Sequence, residues 1–101
     1  MTGSGESGYA REMGYSVDEF ALVLPSAMRD WSVQGGPDSW RVTNSEGTPV
    51  ATISISALPE RALGSLRLPV LSVRFALQTR SAELSAEFQR RFDRGFHRGG
   101  G

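Results

Sequence analysis

The sequence predicts an α+β fold: a two-layer sandwich in which an antiparallel meander sheet of four to five strands is covered by one C-terminal amphipathic helix. Apolar and polar residues alternate without a break over residues 51–57, which is the period of a strand with one buried face. Towards the C-terminus, Leu84, Phe88 and Phe92 recur every four residues, which is the spacing of an apolar helix face. A half-apolar sheet and a striped helix bury their apolar faces against each other.

Length and composition restrict the classes of protein to which this chain can belong. Its 101 residues fit one domain. It has no cysteine, which excludes disulfide staples, thiolate nucleophiles and cysteine-based zinc sites. No segment approaches the roughly 20 apolar residues of a membrane-spanning helix, and no secretory leader is visible. We therefore expect a cytoplasmic protein.

Glycine content and apolar patterning divide the chain into three parts. Residues 1–15 contain four glycines and no apolar period, so we predict a disordered N-terminal arm there. Residues 16–96 are predicted to form the single α+β domain. Residues 97–101, which end in three glycines, are predicted to be a flexible tail.

The first element of the domain, residues 17–24, matches two templates. Ser16 and Glu19 have the spacing of a capping box, which favours a helix. The continuous apolar run from Phe20 to Leu24, which stops at Pro25, is typical of a short buried strand. A helix of about eight residues is marginal in isolation, so we predict a strand and keep the helix as the alternative.

The middle of the chain has the pattern of consecutive strands. Residues 30–34 alternate in polarity, and a run of Gly and Pro follows them. Residues 39–58 are predicted to form a hairpin around a tight turn at 44–47, in which Gly47 suits a left-handed backbone.

After this hairpin we expect a connection and one more strand. Residues 59–67 are predicted to be the connection, and residues 70–77 the strand. Pro69 is expected at the start of that strand or on an edge, because proline cannot donate a ladder hydrogen bond.

The last element is a predicted helix over residues 82–94. Ser81 is a suitable N-cap, and the stripe of Leu84, Phe88 and Phe92 gives the helix a face with which to cover the sheet. Gly95 and Phe96 are placed to end the helix in a Schellman motif, with Gly95 left-handed.

Charge is balanced overall but uneven along the chain. The net charge is zero, yet residues 1–50 hold three Arg against seven acids, and residues 51–101 hold eight Arg against four. All basic residues are arginine, which a biased codon usage explains most simply and selection for bidentate anion contacts explains otherwise. A chain without net charge gains little from self-repulsion in staying monomeric, so a homodimer is compatible with the sequence.

Two groups of arginines are the candidate contacts for an anion or a partner. In one group basic residues alternate with aromatic residues at the C-terminus, an arrangement that can bind phosphates and stack on bases. The other group lies on the sheet face that the helix leaves open, among small hydroxyl residues. A solvated helix end and an ordinary polar sheet face are the simpler explanations of the two groups. The candidate residues are Arg41, Arg74, Arg90, Arg94 and Arg98.

The remaining features predict no catalytic, cofactor or metal site. Gly3–Gly8 matches the letters of a dinucleotide-binding loop, but only two residues precede it, where that loop requires a strand. His97, the single histidine, lies beyond the last helix with nothing to orient it. Trp31 and Trp40 flank the Gly-Pro turn and are expected in the core.

These observations favour a small, non-enzymatic binding or interaction module. Its contact surface would be the polar sheet face or the basic helix end, and its partner a second copy or another protein, with nucleic acid less favoured. One alternative is a small enzyme or ligand-binding domain with a pocket between sheet and helix, lined by Trp31 or Trp40. The other is a subunit of a larger assembly.

Overall fold

The computed structural model describes residues 8–97, which form five strands and two helices. The elements are β1 Gly8–Met13, α1 Val17–Met28, β2 Ser32–Gly35, β3 Ser39–Thr43, β4 Pro49–Leu63, β5 Leu66–Leu77 and α2 Ala82–Gly95. The strands pair antiparallel in the spatial order β1-β5-β4-β3-β2. This confirms the predicted α+β class, the antiparallel sheet and the C-terminal helix. Strands β2 to β5 form a meander, whereas β1 lies beside β5, and there is one helix more than predicted.

Both helices cover the same face of the sheet. Phe20 and Leu24 of α1 and Phe88 and Phe92 of α2 are fully buried, and they meet a continuous apolar layer from the three central strands. The aromatic rings form one cluster, in which the Phe20 and Phe92 centroids are 6.1 Å apart. On the opposite surface of the sheet, which we call the open face, residues 8–97 place no helix.

The strand predicted for residues 17–24 is wrong, and the alternative is correct. Ser16 Oγ accepts a hydrogen bond from the Glu19 amide (3.2 Å), and Glu19 Oε1 accepts one from the Ser16 amide (3.0 Å), so the capping box forms. The helix continues through Pro25 to Met28 because burial of its last turn offsets the proline penalty. The continuous apolar run is accommodated because Leu22 is left 77% exposed to solvent.

The N-terminal arm predicted for residues 1–15 is wrong for the described part of that range. Residues 8–13 form β1, which pairs with β5 from Gly8 opposite Ala76 to Met13 opposite Leu71. The Tyr9 ring stacks on Phe75 at 4.5 Å between centroids, which gives this segment an apolar contact that its glycine content concealed. Residues 1–7 of the predicted arm and residues 98–101 of the predicted tail lie outside the described residues.

The predicted hairpin over residues 39–58 is confirmed, and its turn has the expected chemistry. Asn44 Oδ1 accepts hydrogen bonds from the amides of Glu46 and Thr48, both at 2.9 Å. Gly47 has φ 84°, the left-handed value expected for it.

The C-terminal helix is confirmed, but its predicted ending is wrong. Ser81 Oγ accepts from the Leu84 amide at 3.1 Å, as an N-cap does. Gly95 remains inside α2 and Phe96 caps it, with its amide donating to the Phe92 carbonyl. Gly95 is required for a different reason: its lack of a side chain lets α2 approach Ala27 of α1 closely. Within residues 8–97, neither helix is long and apolar enough to cross a membrane.

Candidate functional site

Strands β4 and β5 extend well beyond their neighbours in the sheet. The pairing of β3 with β4 ends at Ser54, and the pairing of β1 with β5 ends at Leu71. The β4–β5 ladder continues from Leu58 opposite Val70 to Leu63 opposite Leu66. We call residues 58–70 the hairpin arm. This part of the sheet has two strands only, so no described strand covers its edges. The predicted connection at residues 59–67 is therefore wrong, because most of it is strand.

The register divides the hairpin arm into two faces of different character. Arg61 lies opposite Leu68 and Leu63 opposite Leu66, so these four side chains share one face. Ala62 and Arg67 are also paired and belong to the other face. A bulge between Leu58 and Arg61 shifts the alternation of β4 by one residue. The leucine face of the arm thereby continues the open face of the sheet rather than its helix-covered face.

Three leucines of the hairpin arm are unusually exposed. Leu63 is 56% exposed, Leu66 62% and Leu68 39%, and together we call them the leucine strip. Isolated exposed apolar residues are common on protein surfaces, whereas neighbouring ones on one face form a contiguous apolar patch, which is less common. Leu22 on α1 is also exposed, but it stands alone.

A small depression lies where the leucine strip meets the body of the sheet. It has a volume of about 110 Å³ and is lined by Glu12, Met13, Gly14, Arg61, Leu68, Pro69 and Val70. The charged atoms of Arg61 and Glu12 are 3.7 Å apart. The strip thus has exposed leucines at its tip and a small recess at its base.

The free edges of the hairpin arm are poorly suited to pairing with another strand. Pro59 interrupts the edge of β4, and Pro69 interrupts that of β5, so each edge lacks a backbone donor there. Charged side chains add to this, with Arg67 at 3.9 Å from Glu60. Proline, charge and a bulge are the devices by which proteins prevent edge-to-edge association. The arm is therefore suited to contact through its leucine face.

Sequence reasoning missed the leucine strip, although a signal for it exists. Leu63 and Leu66 are separated by Gly64 and Ser65, a two-residue link of the kind that joins hairpin strands. Gly64 has φ 61°, the left-handed value that the first position of such a turn requires. The connection predicted for residues 59–67 contains this glycine, but the chain forms strands on both sides of it.

The predicted contacts Arg41 and Arg74 both lie on the open face. Arg41 is opposite Thr52 and Arg74 opposite Ser54, so the two arginines stand in neighbouring rows on strands separated by β4. Both are exposed, and neither forms an ion pair or hydrogen bond with another described residue.

The C-terminal arginines lie in the other layer of the molecule, so the two predicted groups do not form one site. Arg90 is bound to Glu87, with an Nη2–Oε1 distance of 2.6 Å. Arg94 is exposed in the last turn of α2. Arg98 lies outside the described residues.

Arg91, which lies four residues after Glu87 and is not among the candidate contact residues, has the more extensive contacts of this helix end. Its guanidinium lies 4.3 Å from the Trp31 ring centroid and donates to Asp30 and Glu87, both at 2.8 Å, and to the Met28 carbonyl at 2.5 Å. The hydrogen bond from Arg91 lowers the pKa of the Asp30 carboxyl, and those from Arg91 and Arg90 lower that of Glu87. These contacts join α2 to the link between α1 and β2, which is a structural role.

The tryptophans are in the core, as predicted. Trp31 is 8% exposed and Trp40 6%, and the Trp40 ring packs 5.5 Å from that of Phe20. An open depression of about 260 Å³ touches the edge of Trp40 beside Arg41, on the outside of the sheet rather than between sheet and helix. Among residues 8–97 no three His, Asp or Glu side chains are grouped as metal ligands would be.

Comparisons with known proteins add no family to this description. No family model matches the chain, and neither a curated protein nor a solved structure is significantly similar to it.

Proposed function

We propose that this chain is a non-enzymatic protein-interaction module whose contact surface is the leucine strip of the hairpin arm. The observation that supports it is the contrast between the two faces of one hairpin, where three leucines and Arg61 occupy one face and Ala62 and Arg67 the other. Covering three leucines that are about half exposed is worth roughly 2–5 kcal/mol, at ~1.5–3 kcal/mol for each complete burial. Burial of the leucine strip together with the open face would therefore contribute substantially to the free energy of binding a protein partner.

A face-selective crosslink in the native host tests this proposal. A photoreactive amino acid replaces Leu66 in one version of the chain and its neighbour Arg67, on the opposite face, in another. We expect a covalent protein adduct from position 66, little from position 67, and loss of the adduct when Leu63→Glu is added to the first version. Equal adducts from both positions, or none from either, contradict the proposal.

An anionic partner on the open face is a second candidate function. It is favoured by the exposure of Arg41 and Arg74 and by the lack of any ion pair to either among the described residues. Arginine forks without internal partners can bind carboxylates or phosphates bidentately. We expect heparin, used as a generic polyanion, to bind the chain. We expect this binding to be lost in the Arg41→Glu/Arg74→Glu variant. Arg67→Glu/Arg80→Glu, with the same charge change at exposed positions outside the candidate contacts, is the control, and equal loss in both variants contradicts a site on the open face.

A further inference from the structure

We propose that the partner of the hairpin arm is a second copy of this chain, bound through a two-fold axis at the middle of the leucine strip. This inference rests on the proposed function, since it names the occupant of the same surface. It follows from the order of side chains along the arm. Three rows succeed one another from base to tip: Leu58 with Val70, then Arg61 with Leu68, then Leu63 with Leu66.

This order of rows is self-complementary. A two-fold axis through the middle row places the tip row of each copy over the base row of the other, so apolar pairs meet apolar pairs at both ends. An isologous contact of this kind closes after two copies. In this arrangement the tip leucines of each copy lie over the base row of the other, beside which is the recess of about 110 Å³, a size that suits a single aliphatic side chain.

The charges at the middle row are compatible with the same arrangement. Arg61 leans off the strip towards Glu12, with a distance of 3.7 Å between their charged atoms. A two-fold axis through the middle row brings Arg61 of the two copies near each other, and the carboxylate of Glu12 in each chain offsets this like-charge approach. The chain as a whole has no net charge to oppose this approach.

The blunted edges of the arm favour this contact over strand addition. Pro59 and Pro69 remove backbone donors from the outer edges of the arm, which disfavours a partner that adds an extended strand there. What remains for contact is the leucine face of the arm, whose order of rows matches that of a rotated copy.

Sedimentation of the full chain over a wide concentration range tests this proposal. We expect reversible dimerisation to twice the 11.0 kDa monomer mass. Leu66→Glu is expected to weaken dimerisation at least tenfold, whereas Ala62→Glu, with the same charge change on the opposite face, leaves it within about threefold. Circular dichroism checks that both variants are folded.

A position-specific crosslink tests the geometry of the dimer. Because the chain has no cysteine, Leu68→Cys introduces a single thiol beside the two-fold axis. A short bismaleimide is expected to join two copies through position 68 in high yield, and through Ala62→Cys in low yield.

Two outcomes overturn the homodimer, and they are distinguishable from failure of the proposed function. A strict monomer at all concentrations overturns it, as does a dimer that Leu66→Glu leaves unchanged. If position 66 still crosslinks selectively to a different protein in the host, the interaction module stands with another partner. If no selective adduct forms, both proposals fail.

Discussion

Gly95 of α2 lies so close to Ala27 of α1 that a β-carbon added to Gly95 would come within 2.7 Å of the Ala27 α-carbon. Two helices can approach each other this closely only where one of them has no side chain at the point of contact, as is the case at Gly95. Both helices cover the sheet from the same side, so this contact sets their separation over the shared aromatic core. It also explains why a residue of poor helix propensity is found inside the last turn of α2.

We predict that Gly95→Ala destabilises the protein by about 1–3 kcal/mol, because the helices must move apart over a packed core. For a domain of this size that lowers the melting temperature by roughly 4 °C or more, measured by calorimetry. Helix propensity alone predicts the opposite sign, about 0.5–1 kcal/mol of stabilisation. Gly14→Ala is the control, since its added β-carbon finds the nearest atom at 3.9 Å. A more stable Gly95→Ala protein would disprove the close helix contact.

A second prediction concerns the capping box at the start of α1. Ser16→Ala removes the hydroxyl that accepts from the Glu19 amide and should cost about 1 kcal/mol in chemical denaturation. Ser26→Ala, at an exposed position of the same helix, should change stability by less than about 0.5 kcal/mol. Equal effects of the two substitutions would mean that Ser16 does not cap the helix.

A third prediction follows from the Arg91 contacts and concerns acid stability. The pKa values of Asp30 and Glu87 are lowered in the folded chain, by the hydrogen bonds from Arg91 and, for Glu87, also from Arg90. A carboxylate with a depressed folded-state pKa contributes stability that is present above its unfolded pKa and is lost as the pH falls. The loss should therefore begin near pH 4–5, where ordinary carboxyls titrate, and continue below it.

We expect Arg91→Met to lower the melting temperature at pH 7 and to flatten its decline between about pH 5 and pH 3. The substitution keeps an apolar stem over Trp31 but removes the charge and the hydrogen bonds. Arg67→Met breaks only an exposed ion pair of 3.9 Å and should leave the acid profile unchanged. If Arg91→Met loses stability on acidification as steeply as the natural chain, the stated cause is wrong.

A fourth prediction tests whether β1 is part of the folded core. Tyr9 stacks on Phe75, its hydroxyl donates to Gln89 Oε1, and burial raises its pKa. Tyr9→Ala should therefore destabilise the protein by about 1–2 kcal/mol in urea denaturation. Ala10→Ser, on the open face of the same strand, should have little effect. Indistinguishable urea midpoints for the natural chain and Tyr9→Ala would show that β1 does not contribute to stability.

The elements that sequence reasoning predicted correctly are those with a strong local pattern. The alternation at residues 51–57 and the stripe of Leu84, Phe88 and Phe92 each define a buried face without knowledge of the rest of the fold. The turn at Asn44 is also local, because its side chain accepts from backbone amides two and four residues later.

The elements that were mispredicted depend on contacts that are distant in the sequence. In α1, Pro25 and the continuous apolar run favoured a strand, and only burial against the sheet and α2 makes the helix preferable. In β1, the order comes from Phe75, which is more than sixty residues away in the chain. Gly95 has the spacing of a helix stop, but its actual role requires the position of Ala27.

The candidate site was missed for a related reason. Residues 59–67 are predicted to be a connection, although the two prolines close to Gly64 each lie on an outer edge where a proline is tolerated. Whether Leu63 and Leu66 are covered depends on how far the neighbouring strands extend, and that is a property of the whole sheet.

The central claim is that the leucine strip is a contact surface, and methyl NMR with a soluble paramagnetic agent measures this most directly. Leucine methyls that are open to solvent relax strongly, and covered ones do not. In the assembled protein we predict weak relaxation of the methyls of Leu63, Leu66 and Leu68, and strong relaxation of those of Leu22, which is 77% exposed. Strong relaxation of the strip methyls at every protein concentration, and with host extract added, would contradict the account.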